Sequence, residues 1–319
     1  MSLCNRGLAI AIPTYNRAAI LDENLRLMLP DLKQHQVPVF ISDDSSDSKT
    51  EMVIERLSKE YEGFSYRHNY PSLGHDKNFF ATLEMVDYDY VWYLGDSLYF
   101  KPGCLQGILE SMQSEVDFIF VNSYAKDTRS RLIGDAHEFL LEHAWYLTLT
   151  GAAIYGSRPR RLFVDECRKA SWRNFVQLGL IFEYCSQNSA VVYWFGTPSI
   201  GFNKKKNRSY WTGNALDVFV EDWTMFVQSF PALFSASEMM AVVRSHAVHT
   251  GIFGIKSLIL IRANGGLTVS NVQRHKRSYV LASPTSVFVT YAVALLPVFL
   301  LRGLVGLFYL LRGFGRSSG

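Results

Sequence analysis

Four short polar clusters contain the side chains best suited to chemistry, and each cluster directly follows a predicted strand. They are Pro13-Thr14-Tyr15-Asn16-Arg17, Asp43-Asp44-Ser45-Ser46, the segment from Asn69 to Gly74, and Gly95-Asp96-Ser97. Carboxylates, amides and a guanidinium are groups that bind phosphates or divalent cations. Neither the glycine-rich dinucleotide fingerprint nor the P-loop pattern occurs, which disfavours those two classes of nucleotide-binding protein.

The apolar runs alternate with stretches of helical spacing. We predict strands at 8–12, 37–41, 64–68, 90–94 and 117–121, and helices at 19–29, 49–61, 77–85 and 102–112. This alternation predicts an α/β fold with a mostly parallel sheet flanked by helices. Because ligands gather at the carboxyl ends of parallel strands, the four clusters are expected to meet at one edge of the sheet. Ser48 and Glu51 predict a capping box at the second helix.

The composition favours a globular protein with two regions of opposite charge. Apolar residues make up 48% of the 319 residues, which disfavours disorder. Of 32 basic side chains, nine follow Glu238, where no acidic side chain occurs, whereas the preceding residues carry 29 acidic side chains. The basic tail is expected to meet an anionic surface. Nucleic acid is disfavoured as the partner because long apolar runs interrupt the basic residues.

The cysteines are too far apart for a zinc motif or a disulfide framework, so reduced thiols are expected. They are Cys4, Cys104, Cys167 and Cys185. Beyond residue 125 the pattern is less regular, with helices predicted at 138–147, 160–169, 174–186 and 216–230 and a strand at 190–194. We therefore expect three regions, at 1–125, at 126–238 and at 239–319, of which the last is a basic and apolar, membrane-associating C-terminal region.

The C-terminal region predicts association with a membrane. Residues 287–311 contain a single charge, at Arg302, and Pro297 interrupts their apolar run. From Arg302 onward, arginines and apolar residues lie on opposite faces of a predicted helix, which is typical of a helix in the membrane interface. The basic run from Arg274 to Arg277 adds about 1 kcal/mol per charge at an anionic surface. We expect peripheral or monotopic association through residues 284–316 in preference to a full span.

Four stretches of this chain resemble glycosyltransferase family 2 in their order and spacing. They are IAIPTYNRAAIL, VFISDDSSDS, NYPSLGHDKNFF and YVWYLGDSLYFKPG. The resemblance is good over residues 8–125 and loose over 126–235, and it is closest to bacterial enzymes that build O-antigen or capsule repeat units. It implies a GT-A-like fold, with a nucleotide-sugar-binding half at 1–125 and an acceptor-binding half at 126–238, and inverting transfer from a nucleotide sugar. It also implies a polyprenyl-diphosphate-linked glycan acceptor at the cytoplasmic face of the inner membrane.

The resemblance implies a donor-binding set in the four clusters and the helix that follows the third. Tyr15 can stack on the base, and Asp44 can accept the N3–H of uracil or thymine, which cytosine lacks; guanine remains open. Asp43 is expected to cap backbone amides, although a plain turn also explains this pair. Lys77 can meet the diphosphate or be a solvated lysine. The full set is Pro13, Thr14, Tyr15, Asn16, Arg17, Asp43, Asp44, Asn69, Lys77, Asn78, Asp96 and Ser97.

The fourth cluster departs from the family, because Ser97 stands where the resemblance places a metal-binding aspartate. Only Asp96 offers a carboxylate there, and Mg²⁺ or Mn²⁺ prefers anionic oxygen ligands. Three interpretations follow. Asp96, the donor phosphates and water hold a divalent cation; basic residues such as Lys77 and those of the 204–208 loop replace the cation; or the protein is an inactive donor-binding or scaffold subunit. We favour the first two.

The catalytic base and the acceptor site are less clearly encoded. An inverting transfer needs a base, and the resemblance places it near Gln177 or Leu178, neither of which is basic enough. Glu183 is the nearest carboxylate on the same predicted helix, although an ordinary surface role also explains it. Trp172 and Trp211 are candidates for stacking on an acceptor sugar, or for the core. Alternative carboxylates are Asp165, Asp217, Glu221 and Asp222.

Overall fold

The computed structural model describes residues 7–112, 115–124, 126–170, 172–206 and 209–303. The chain divides into two compact units, the first formed by Met1–Ser171 and Phe175–Asn207 and the second by Trp172–Asn174 and Arg208–Gly319. The first unit contains the strands, and the second is helical. The division into functional regions at 1–125, 126–238 and 239–319 stays a prediction.

The first unit is built on an eight-stranded sheet with the order β3-β2-β1-β4-β8-β6-β9-β7. β1, β2, β3 and β4 run parallel to one another, as do β6 and β9, whereas β8 and β7 run antiparallel to their neighbours. A separate antiparallel pair joins β5 to β10. The strands are β1 Leu8–Thr14, β2 Val39–Asp43, β3 Phe64–His68, β4 Tyr90–Tyr93, β5 Leu98–Phe100, β6 Phe118–Val121, β7 Arg131–Ile133, β8 Ala153–Gly156, β9 Val192–Phe195 and β10 Ile200–Phe202.

Helices flank this sheet, so the predicted mostly parallel α/β fold is confirmed. The helices of the first unit are α1 Ala18–His35, α2 Lys49–Ser58, α3 His75–Glu84, α4 Cys104–Ser111, α5 Ala136–Leu147, α6 Ser157–Lys169 and α7 Val176–Gln187. α1 extends past its predicted end at Leu29 and through Pro30, because Met28, Leu29 and Leu32 continue its buried face. The capping box predicted at Ser48 is wrong, because the Ser48 side chain makes no capping hydrogen bond; the neighbouring Asp47 carboxylate accepts one from the Lys49 amide.

The buried core fixes the edge of the sheet at which the polar clusters meet. Residues Leu8 to Ile12 of β1 are all buried, as expected for a strand with neighbours on both sides and both faces covered. Trp92 of β4 stacks on Phe100 of β5. The parallel register pairs Thr14 with Asp43 and Asp43 with His68. The carboxyl ends of β1, β2 and β3 are therefore neighbours, and the polar residues that follow them lie side by side.

The second unit consists of helices and short turns. The predicted helix at 216–230 is present, but its first part, Asp217–Asp222, is π-helical, and α8 Trp223–Gln228 continues it. The remaining helices are α9 Ala236–Thr250, α10 Ile255–Ala263, α11 Val269–Ala282 and α12 Val287–Leu295. Within the described ranges, no helix has both the length and the apolar character needed to cross a membrane. Most of the predicted interfacial helix, from residue 304 onward, lies outside the described residues.

Candidate active site at the carboxyl edge of the sheet

The Asp96 side chain is buried, with 6% of its residue surface exposed, and it binds residues from the end of β1. Arg17 Nη1 donates a hydrogen bond to Asp96 Oδ1 at 2.9 Å, and Thr14 Oγ1 donates to Oδ2 at 3.2 Å. Asn24 of α1 donates its Nδ2 hydrogen to the Asp96 carbonyl at 2.8 Å. β1 and β4 are adjacent and parallel, so the first and fourth clusters meet, as the sequence predicts.

This donor set fits a divalent cation poorly. Asp96 supplies the one carboxylate of its cluster, and both its oxygens already accept hydrogen bonds, one of them from a guanidinium. A cation here would have to displace Arg17 or share an oxygen with it, and the two positive charges would repel each other. Ser97 offers only a neutral hydroxyl, and its backbone carbonyl accepts a hydrogen bond from Asn203 N at 3.0 Å. The chemistry of this cluster is that of an ion pair.

A second cation reaches the same cluster from the turn after β10. Pairing of β10 with β5 brings Asn203 beside Ser97, and Asn203 Nδ2 donates to Asn24 Oδ1 at 2.8 Å. Lys206 follows on this turn and interacts electrostatically with Arg17 and Asp96. Burial lowers the pKa of the Lys206 ammonium, Arg17 lowers it further, and Asp96 opposes both effects. Two cations and one carboxylate therefore leave a local excess of positive charge.

Asp44 holds the loop that follows β3. Its Oδ1 accepts a hydrogen bond from Leu73 N at 2.7 Å, and its Oδ2 accepts from Ser72 Oγ at 2.6 Å and from Gly74 N at 2.7 Å. Gly74 has φ of +81°, a conformation that favours glycine. A carboxylate oxygen can accept two hydrogen bonds, so Oδ1 retains an acceptor position beyond its bond to Leu73.

Asp43 has a structural role in the same loop. Its Oδ1 accepts from Ser45 N at 3.0 Å, which is the backbone capping that the sequence predicts, and its Oδ2 accepts from Tyr66 Oη at 2.9 Å. Ser45 Oγ in turn accepts from Asn16 N at 2.7 Å. These bonds connect the first and second clusters and fix the loop before α2.

The amides of Asn69 and Asn78 form a buried polar triangle with Ser42. Asn69 Nδ2 donates to Ser42 Oγ and to Asn78 Oδ1, each at 3.0 Å, and Ser42 Oγ donates to Asn78 Oδ1 at 2.7 Å. Both asparagines therefore act on the site through the position of β2, β3 and α3. Two other members of the predicted donor set lie at the surface: Tyr15 is 57% exposed, and Lys77 is exposed in the first turn of α3. Their contact with a donor stays a prediction.

The candidate base lies on α7. Glu183 is the only acidic residue of this helix, and its Oε1 accepts a hydrogen bond from Gln187 Nε2 at 2.7 Å. Gln177, at the position where the resemblance places the base, is buried in the first turn of the helix. The contacts found among the described residues do not connect Glu183 to Asp96, so its catalytic role stays a prediction.

The two candidate acceptor tryptophans belong to the second unit. Trp172 Nε1 donates to Ser229 Oγ at 2.8 Å, and its ring lies 5.0 Å from that of Phe230. The Trp211 ring meets Phe219 edge-on at 5.2 Å. Both rings are only partly exposed, so each has one side packed against aromatic neighbours. Their predicted role in acceptor binding remains untested.

An acidic cluster in the second unit surrounds His275. Its Nε2 lies 3.0 Å from Asp217 Oδ1, and its Nδ1 lies 3.2 Å from Glu221 Oε2. The candidate ligand atoms of these three residues all lie within 4.8 Å of one another. Both ring nitrogens face carboxylates, and these polar contacts join α11 to the π-helical segment.

Several functional contacts were not predicted from the sequence. Asn24 and Asn203 orient the Asp96–Ser97 turn, and Ser72 binds Asp44, yet each looks like an ordinary polar residue in its own segment. Their partners are far away in the sequence, so local spacing carries no signal for them. The sequence identifies Lys206 only as one member of a basic loop. Its interaction with Asp96 depends on the pairing of β10 with β5, which the sequence did not predict.

The sequence is similar to those of known glycosyltransferases. The family described as Glycosyl transferase family 2 matches residues 9–170, about half of the chain. The abequosyltransferase RfbV of Salmonella typhimurium (strain LT2) is 26% identical over 183 residues, which are 56% of this chain and 51% of that protein. The chain thus spans about half the length of this curated relative.

Solved glycosyltransferase structures share the fold. S. aureus TarS has a TM-score of 0.56 at 12% identity, covering 86% of this chain and 50% of that chain. TarS 1–349 in complex with UDP-GlcNAc has a TM-score of 0.55 at 12% identity, covering 86% of this chain and 84% of that chain. PcManGT from Pyrobaculum calidifontis, in complex with GDP-Man and Mn²⁺, has a TM-score of 0.50 at 13% identity and covers 90% and 86%. At such identities these likenesses show the GT-A-like fold alone.

Proposed function

We propose that this chain, which belongs to glycosyltransferase family 2, transfers a sugar with inversion from a nucleoside diphosphate sugar to a glycan carried on a polyprenyl diphosphate. The reaction would extend a bacterial surface polysaccharide such as an O-antigen or capsule. The observation that carries the proposal is the convergence of the four polar clusters at one sheet edge, around the buried carboxylates of Asp44 and Asp96. The similarity to an abequosyltransferase supports the sugar-transfer assignment.

Asp44 and Tyr15 favour a uridine or thymidine donor. The acceptor position left on Asp44 Oδ1 suits the N3–H of uracil or thymine, and the exposed ring of Tyr15 offers a stacking surface. Cytosine has no N3–H and would leave that position unfilled. The ordered Ser72–Gly74 loop keeps the carboxylate in one orientation, so the base is read by a group that is already positioned.

Arg17 and Lys206 would neutralise the leaving diphosphate. In the transfer, an acceptor hydroxyl oxygen bonds to the anomeric carbon while the bond from that carbon to the diphosphate oxygen breaks. The electron pair of the broken bond leaves with the nucleoside diphosphate, and the hydroxyl proton passes to a base. Cations that face the developing negative charge lower the barrier. Asp96 holds Arg17 in place until donor phosphates compete for the guanidinium.

Glu183 is the candidate for the base that takes the acceptor proton, because it is the only carboxylate of α7. Glu183→Gln keeps the shape of the side chain and one acceptor oxygen for Gln187 but removes its basicity. We expect this variant to bind the donor normally and to lose acceptor-dependent transfer. Normal transfer by this variant would move the role to another carboxylate.

Nucleotide binding tests the donor assignment. Thermal shifts would be recorded with uridine, thymidine, guanosine and cytidine diphosphates, each with Mn²⁺ and with EDTA. We expect stabilisation by uridine or thymidine diphosphate and little additional effect of Mn²⁺. Stabilisation by cytidine diphosphate alone would overturn the role of Asp44.

A second candidate function is an inactive donor-binding or scaffold subunit of a polysaccharide assembly. Ser97 and Gln177 favour it, because each replaces a carboxylate that the family resemblance predicts. Turnover of donors with a lipid-linked acceptor separates the two functions, since a scaffold binds nucleotide without transfer. Ser97→Asp should also leave a scaffold inactive, whereas an enzyme that uses a weakly held cation would respond to it.

A further inference from the structure

The outward side of α12 is apolar and exposed. Phe288 and Leu295, seven residues apart, are 79% and 70% exposed, and a helix places residues at this spacing on one side. Ala292 between them is also exposed. The chain leaves the helix at Leu296 and Pro297, and the exposed apolar residues continue with Phe299, which is 73% exposed, and Leu300. We call the surface of Phe288, Ala292, Leu295, Leu296, Phe299 and Leu300 the apolar face.

The inward side of α12 is firmly seated, so the apolar face is not the result of a loose helix. Val287, Thr290, Val293 and Ala294 are buried. Thr290 Oγ1 donates a hydrogen bond to Tyr279 Oη of α11 at 2.7 Å. Arg262 Nε of α10 donates to the Leu296 carbonyl at 3.0 Å, and Arg302 Nε donates to the Ala263 carbonyl at 2.9 Å. Large exposed apolar side chains on a fixed element mark an interaction surface.

The charged side chains of residues 239–319 are all basic. No acidic residue follows Glu238 anywhere in the sequence, whereas α11, which packs against α12, exposes Arg274, Lys276 and Arg277. Arg274 lies 3.6 Å from Asp217, whereas Lys276 and Arg277 form no ion pair with the described part of the chain. The sequence that follows Gly303 adds two arginines among apolar residues and no carboxylate. Exposed apolar side chains next to basic ones are complementary to a partner that has an apolar interior and an anionic surface layer.

We propose that the apolar face inserts into the interface of a lipid bilayer that contains anionic headgroups, while Lys276 and Arg277 contact the headgroups. A symmetric dimer through the same face would set the basic helices of two copies against each other. A bilayer supplies both an apolar layer and compensating negative charge. The inference goes beyond the proposed sugar transfer, since docking needs neither donor nor acceptor.

Vesicle co-sedimentation of the full chain tests the proposal independently of activity. The vesicles would be phosphatidylcholine alone or phosphatidylcholine with about 30% phosphatidylglycerol, which is anionic. Each basic residue near an anionic surface contributes about 1 kcal/mol, equivalent to about fivefold in binding. We expect binding to the anionic vesicles that falls at least tenfold in the Phe288→Ser, Phe299→Ser double variant. Lys276→Gln with Arg277→Gln should weaken binding to anionic vesicles and reduce its salt dependence.

Leu162→Ser is the matched control, because Leu162 is an exposed apolar residue on α6 of the first unit. It should leave vesicle binding unchanged, and circular dichroism should show that every variant is folded. Equal binding by the wild type and the Phe288→Ser, Phe299→Ser variant would overturn the proposal. Absence of binding to either vesicle would also overturn it, as would a dimer in solution that the double variant converts to monomer.

Discussion

The sheet edge of the first unit buries charged side chains, whereas the apolar face of the second unit exposes apolar ones. At the sheet edge, carboxylates are buried and each accepts hydrogen bonds from nearby donors, as Asp96 does from Arg17 and Asp44 does from the Ser72–Gly74 loop. On the apolar face, phenylalanine and leucine side chains are exposed although the helix beneath them is well packed. A buried charge needs a partner within the chain, whereas an exposed apolar group indicates a partner outside it.

The side chains of the sheet edge divide into those that position their neighbours and those that can bind the donor. Most polar groups at the sheet edge are engaged with each other, so few of them retain capacity for a ligand. Tyr15, the remaining acceptor position of Asp44, and the cations Arg17 and Lys206 are the groups best placed for the donor. The others hold these groups in position. The side chains of the apolar face are exposed, so their contribution to free energy depends on the partner that covers them.

The largest expected effect comes from removing the cations of the sheet edge. Lys206→Met should lower kcat by about 100-fold to 1,000-fold, as expected for loss of a group that stabilises developing charge. Lys204→Met, in the same turn, is the matched control and should change kcat little. Steady-state transfer assays with saturating donor would measure both. Equal rates for the two variants would contradict the role of Lys206 in stabilising the leaving diphosphate, since it would then behave as an ordinary surface lysine.

Replacing Asp44 tests whether the buried carboxylate both orders the loop and reads the base. Asp44→Asn places an amide among the donors of Leu73, Ser72 and Gly74, so we expect nucleotide affinity to fall by about 10-fold to 100-fold. The thermal midpoint should also fall, because charge-assisted hydrogen bonds are lost. Titration calorimetry with uridine and thymidine diphosphates measures the affinity, and the exposed Asp47→Asn serves as control. Unchanged affinity would limit Asp44 to a structural role.

The lowered pKa of Lys206 predicts the pH dependence of transfer. An ammonium with a lowered pKa loses its proton at a lower pH than an ordinary lysine, so activity should decline early on the alkaline side. Lys206→Arg keeps its charge at any assay pH, and its alkaline decline should therefore move to higher pH. Profiles of kcat against pH would reveal the shift. Identical profiles for lysine and arginine would exclude this ammonium as the titrating group.

A smaller effect concerns stability in the second unit, where His246 is a buried group without the compensation found at the sheet edge. Its Nδ1 has no hydrogen-bond partner among the described residues, and burial, with a smaller effect of the nearby His249, lowers its pKa from 6.5 to about 3. Between these values the unfolded chain binds more protons, so stability should fall as the pH falls below 6.5. His246→Phe, which keeps an aromatic ring against Phe219, should reduce this loss in denaturation experiments at pH 7 and 5. The exposed His249→Phe removes only the smaller cause of the lowered pKa, the charge of His249, and should therefore reduce the loss less.

The mostly parallel sheet and the meeting of the polar clusters at one of its edges were predictable because β1, β2 and β4 have clear apolar runs that end in polar clusters. β8 was missed because Ala153–Gly156 is only four residues long, too short for an alternating pattern to show. Pairing of β10 with β5 was likewise unpredicted, and with it the approach of Lys206 to Asp96. Contacts such as Asn203 with Asn24 depend on where distant segments meet, which local patterns do not encode.

The most direct test of the central claim is the rate of sugar transfer from uridine and thymidine diphosphate sugars to a lipid-linked acceptor, measured in EDTA and in Mn²⁺. If Arg17 and Lys206 supply the positive charge for the leaving diphosphate, the wild type should keep most of its rate in EDTA. Lys206→Met should be slow in both conditions. Transfer that is abolished by EDTA and restored by Mn²⁺ would contradict the account, as would the absence of transfer from every donor that binds.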